Sequence, residues 1–151
     1  MRAWHVIASV LVAGVSLAGG KDSLPSGKYS GNADWKGPGG ASGTYTVEKT
    51  FDGKSVVAHY TWADDGKKAH DERHTVTFAT NGAEPLFDVT DEKGQKVGQG
   101  YCYDDACSYR ATFGPVTVDE TFRWSGREMT VLGAKSGPGF SVVWKETLEL
   151  E

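Results

Sequence analysis

The chain has 151 residues, 38% of them hydrophobic and 24% charged, with 20 glycines, two cysteines and a formal charge of −4. That size suits one domain, and the composition excludes a disordered polar chain, a disulfide-dense miniprotein and a helical coiled coil. A mildly acidic balance also argues against a nucleic-acid partner, which would call for a basic patch or stripe.

Residues 1–20 have the layout of a secretory signal peptide. Arg2 gives a positive start, Val6 to Leu17 form an uncharged apolar run of twelve residues, and Ala18, Gly19 and Gly20 supply small residues for cleavage. The run is shorter than the roughly 20 residues that a spanning helix needs. No cysteine stands at the cleavage region for lipid attachment, and no arginine pair precedes the run. The expected product is therefore a secreted or periplasmic domain, residues 21–151, with no membrane span after cleavage. Its removal of Arg2 leaves 15 basic and 20 acidic residues.

Export decides how Cys102 and Cys107 are read. An oxidising compartment lets a nearby pair close, and a turn between two strands sets such residues opposite each other. The CxxxxC spacing is not that of a redox motif, and no further cysteine completes a thiolate zinc site. A structural disulfide is expected.

After residue 25 helical periodicity is almost absent, and two-residue alternation takes its place. Strands are expected over 27–30, 43–51, 55–62, 73–80, 86–91, 95–103, 107–113, 116–124, 128–135 and 140–150. Asp52-Gly53, Asp65-Gly66, Asn81-Gly82, Lys93-Gly94, Gly114-Pro115, Ser125-Gly126 and Ser136-Gly137-Pro138-Gly139 punctuate them. Links this short favour an antiparallel meander, and closing such a sheet removes both free edges. The expected fold is an all-β, antiparallel up-and-down β-barrel of about eight to ten strands. Residues 31–42 read as a long flexible connection carrying Trp35, set to cover one end of the barrel or the other.

Alternation sorts the faces. Tyr45, Val47 and Phe51 share one face, and so do Val56, Ala58, Tyr60 and Trp62. His74, Glu120 and Glu146 fall in phase with apolar neighbours, so each is expected to face the interior, where a charge is costly unless paired or hydrated. Such groups among aromatic walls can orient a bound molecule. Trp35, Tyr60, Trp62, His74, Arg110 and Glu120 are the candidate ligand-binding residues. Which face of strands 95–103 and 107–113 points inward stays open, and with it the place of Arg110.

Other motifs carry less. His70 and His74 have the i, i+4 spacing that pairs metal ligands on a helix, but they join a loop to a strand, so no metal is expected. Asp64-Asp65-Gly66 lacks the later ligands of a calcium loop. No phosphate-binding loop, dinucleotide fingerprint or GxSxG elbow is present.

The Gly27-Lys28-Tyr29-Ser30-Gly31 start, the following Trp35 and ten hairpin-linked strands resemble the calycin group, which contains lipocalins, fatty-acid-binding proteins and nitrobindin-like haem barrels. The resemblance implies a barrel that holds a small apolar or amphipathic molecule. The haem-binding members use a late histidine and none follows His74, so no cofactor is assigned. The leading functional reading is a binding barrel without turnover. The alternatives are a filled barrel meeting a cell-envelope partner through its loops, and a barrel enzyme using His74 and Glu120 as acid and base.

Overall fold

The computed structural model describes residues 24–38, 42–62, 70–80 and 86–151, and of residues 62, 70–73 and 80 the backbone only. The expected signal peptide lies outside the described residues, as do most of the 63–72 connection and the Asp64-Asp65-Gly66 turn.

Ten strands follow one another: β1 (Ser26–Lys36), β2 (Gly43–Asp52), β3 (Ser55–Trp62), β4 (His70–Thr80), β5 (Leu86–Thr90), β6 (Lys96–Tyr103), β7 (Ala106–Phe113), β8 (Val116–Ser125), β9 (Glu128–Gly137) and β10 (Phe140–Leu150). Each pairs antiparallel with the next, and β1 closes the barrel on β10, from Tyr29 opposite Leu150 to Lys36 opposite Val143. Closure satisfies the backbone groups that an open meander would leave on two edges. No helix appears among the described residues.

Alternation is the cause of this arrangement, because residues two apart share a face of the sheet. On β10 the buried positions are Val142, Trp144, Glu146 and Leu148, and the residues between them are exposed. On β2 they are Tyr45, Val47, Lys49 and Phe51. Tight turns complete the hairpins, with Gly114 and Gly126 at φ +58° and +59°, a conformation that a side chain would disfavour.

Three expectations need correction. β1 runs on to Lys36, so residues 31–36 are strand and not loop. The reason is a continued inward set in which Ala33 and Trp35 are both buried, hidden in the sequence by the glycines around them. β4 begins at His70, so His70 and His74 lie along one strand, about 13 Å apart at the strand rise per residue. Arg110 lies on the outer face, its neighbours Tyr109 and Ala111 being the buried ones.

The interior has two unlike halves. Toward the β6–β7 turn it is packed solid by Tyr29, Phe51, Phe78, Phe87, Phe122, Met129 and Leu148, all buried, with edge-on ring contacts such as Phe51 on Phe122 at 5.6 Å between centroids. Phe87 lies over Gly100, where a Cβ would come within 2.7 Å of its ring. A ring covering a strand glycine fixes register.

The disulfide joins Cys102 to Cys107 across the β6–β7 ladder, where the two residues are direct partners. Tyr103 pairs with Ala106, so the turn proper is Asp104-Asp105, with Asp104 at φ +52°. Both cysteines are buried in the packed half. Replacing both by alanine is expected to lower stability by about 2 kcal/mol, the loop-closure value for so short a ring. Urea unfolding of the double variant against the parent measures it, and an unchanged midpoint would contradict it.

Candidate ligand-binding site

The barrel's other half carries the chemistry. Between the halves lies a layer of buried charge. Lys49 on β2 is fully buried, and its Nζ is 2.7 Å from Glu120 Oε1 on β8 and 2.9 Å from Glu146 Oε2 on β10. Tyr60 Oη donates to Glu146 Oε1 at 2.6 Å, and Tyr109 Oη donates to Glu120 Oε2 at 2.8 Å. The layer thus ties together β2, β3, β7, β8 and β10. Beneath it, Lys49 Nζ sits 5.0 Å from the centre of the Phe122 ring, within cation–π range.

One ammonium faces two carboxylates, and the electrostatics follow. Burial works against the charged form of Lys49, but the two carboxylates outweigh it and raise its pKa above the usual lysine value. Burial raises the Glu146 carboxyl, helped by the charge of Glu120 and opposed by Lys49 and the Tyr60 hydroxyl. Burial pushes Tyr60 and Tyr109 well up, and the neighbouring carboxylates add to it. Both phenols therefore serve as donors, capping carboxylate oxygens that would otherwise be stranded.

Above this layer lies a cavity of about 330 Å³, within the ordinary size range of small-molecule sites. Its walls include Val56, Ala58, Val76, Phe113 and Val118, its aromatic side is Trp35, Tyr60, Tyr109 and Trp144, and its polar groups include His74 and Glu120. Trp35 and Trp144 are direct partners on β1 and β10, and their rings stack at 4.6 Å with 11° between planes. Trp144 reaches this place because it lies over Gly133, where a Cβ would come within 2.0 Å of the indole. Gly133 is in turn opposite Glu120 on β8. The indole nitrogens of both tryptophans are buried and have no hydrogen-bond partner in the protein. The β5–β6 turn borders the cavity, and Asp91 Oδ1 fixes it by accepting from the amides of Lys93 and Gln95, each at 2.9 Å.

Of the expected site residues, Trp35, Tyr60, His74 and Glu120 meet at this one cavity. The Trp62 side chain lies outside the described ones. Arg110 does not reach it. Its guanidinium pairs across the outer face with Asp119, at 2.6 Å from Nε to Oδ1. Glu146 faces inward as its phase requires, but it is covered by Lys49 and Tyr60 and does not line the cavity. Lys49, Tyr109 and Trp144 are site residues that the sequence reading passed over. A signal existed for Lys49, in phase with Tyr45, Val47 and Phe51, and for Trp144, in phase with Val142 and Leu148. Among the described residues no group of three histidine, cysteine or acidic side chains could hold a metal.

No protein-family model matches the chain, and no curated protein matches it. Among solved structures, the S-type phycobiliprotein lyase CPES from Guillardia theta superposes with a TM-score of 0.68 over 89% of this chain and 96% of that one, at 8% identity. The chain is thus a closed ten-stranded antiparallel barrel of lipocalin-like fold.

Proposed function

We propose that this protein is an exported barrel that binds a small, partly apolar molecule without chemical turnover. The cavity carries the reading. It joins apolar and aromatic walls to a few polar groups, His74 and Glu120 among them, which is the make-up of a small-molecule site. The packed half and the charged layer form a rigid floor, which lowers the ordering cost of binding. At interior packing density the space takes about 15 non-hydrogen atoms.

Further support is indirect. The similar barrel in Guillardia theta is a phycobiliprotein lyase, so the fold is in use around small-molecule chemistry. The leader-like residues 1–20 and the disulfide favour an oxidising compartment outside the cytoplasm. The enzyme reading draws on His74 and Glu120, which share the cavity. Both Glu120 oxygens, however, already accept from Lys49 and Tyr109, which suits a fixed anchor better than a proton carrier. The envelope-partner reading assumed a filled interior and contacts through loops 31–42 and 63–72; the cavity speaks against the first, β1 takes residues 31–36 out of the first loop, and most of 63–72 lies outside the described residues.

Native mass spectrometry of protein purified from its own exported fraction tests the proposal. A reproducible extra mass, lost on denaturation and recovered by solvent extraction, is the expected result. A clean unliganded mass, unchanged across metabolite mixtures, would overturn it. The same denatured sample reports cleavage near residue 20.

A further inference from the structure

We infer that the molecule this cavity takes is a small organic cation, an amine with an aromatic or apolar body, seated with its N–H end toward Glu120. The inference rests on the ligand-barrel reading and narrows it to one charge class.

The first observation is the sign of the site. Among the described residues, three carboxylates border the cavity, Asp91, Glu92 and Glu120, against two ammonium groups, Lys93 and Lys135. Adding the covered members of the charged layer, Glu146 and Lys49, leaves the same excess of one negative charge. Inside a barrel that excess is weakly screened. A ligand carboxylate would add a like charge to it, whereas an ammonium would complete the set with two cations for two interior carboxylates.

The second observation is which carboxylate is within reach. Glu146 is fully enclosed, while Glu120 keeps a side on the cavity. Each Glu120 oxygen takes one hydrogen bond, from Lys49 or from Tyr109, and a carboxylate oxygen has room for a second donor. A charge-assisted N–H bond there would be among the stronger contacts the cavity can offer.

The third observation is the wall. Trp35, Tyr60, Tyr109, Phe113 and Trp144 line the space, and aromatic rings attract desolvated cations.

Three probes with one body and different heads test the charge class: tyramine, the neutral alcohol tyrosol, and 3-(4-hydroxyphenyl)propionate. Isothermal titration of the wild-type protein with each is expected to show tyramine bound at least tenfold more tightly than tyrosol, with the carboxylate weakest. Glu120→Gln is expected to bring tyramine and tyrosol within about twofold of each other. N-Phenyl-1-naphthylamine, a neutral apolar dye, serves as the control for the cavity itself. Binding of the dye with no preference for tyramine, or with the carboxylate preferred, overturns the cation and keeps the ligand barrel. Failure of the dye and all three probes overturns both. The wild-type comparison requires no variant, so poor folding of Glu120→Gln would not shield the inference.

Discussion

Lys49→Met is expected to destabilise the barrel by about 3–5 kcal/mol, the usual result of removing one partner from a buried ion pair. The variant keeps the apolar stem and removes the ammonium. Glu120 and Glu146 would then share a dry layer with no countercharge, losing contacts of 2.7 and 2.9 Å. Against a typical total of about 5–15 kcal/mol, that loss is a large share. The triple variant Lys49→Met, Glu120→Gln, Glu146→Gln is expected to be more stable than Lys49→Met alone, because it strands no charge and keeps an amide oxygen as acceptor for each tyrosine. Urea unfolding of the parent and both variants decides it. A triple variant weaker than the single one would show that the ion pairs themselves, and not the avoidance of an orphaned charge, hold the layer together.

Alkaline pH is expected to unfold the protein steeply. Lys49, Tyr60 and Tyr109 all have folded-state pKa values raised above their ordinary 10.5, 10.0 and 10.0. Each therefore holds a proton in the barrel that the unfolded chain has released. Their stabilising contribution is complete below those ordinary values and is lost as the pH rises through the raised ones. These three protons together contribute about 4 kcal/mol per pH unit to the slope. Phenolate absorbance from Tyr60 and Tyr109 should appear together with loss of the β-sheet signal, not before it. In Tyr60→Phe, Tyr109→Phe the slope should fall by about 2.7 kcal/mol per unit, the share of the two phenols. Free titration of both phenols in the folded barrel would contradict the account. On the acid side Glu146 works in the same sense. Its raised pKa makes stability decline as the pH climbs above the ordinary 4.5 toward the folded value.

Much of this was legible in the sequence because alternation and turn chemistry are local. Tyr45, Val47 and Phe51 announce a buried face, and a glycine or an aspartate marks nearly every hairpin. The Cys102–Cys107 pairing followed from spacing, and the inward places of Glu120 and Glu146 from phase. What escaped depends on contacts across the barrel. Lys49 carries the strand period as plainly as Val47, yet a lone lysine on an apolar face reads as a fault in the pattern until its partners are known. One of them, Glu120, is 71 residues away along the chain, and Glu146 is farther still. β1 was cut short for a similar reason. The glycines near Trp35 signal a loop locally, while in the barrel Gly31 lies where a Cβ would meet the Thr147 carbonyl at 2.0 Å. The wall of β10, and not local propensity, calls for glycine there. Arg110 could be placed only by knowing the register that turns Tyr109 inward.

The central claim is that the aromatic end of the barrel is where a molecule binds. Nitrogen–proton correlation spectra, in which each indole N–H gives its own peak, test it most directly with N-phenyl-1-naphthylamine as the probe. Trp35 and Trp144 line the cavity, whereas Trp124 stands at the far end of β8. Titration should move the indole peaks of Trp35 and Trp144 and leave that of Trp124 in place. Shifts confined to outer-face residues such as Leu86, Tyr101 and Leu132, with both cavity indoles unmoved, would contradict it.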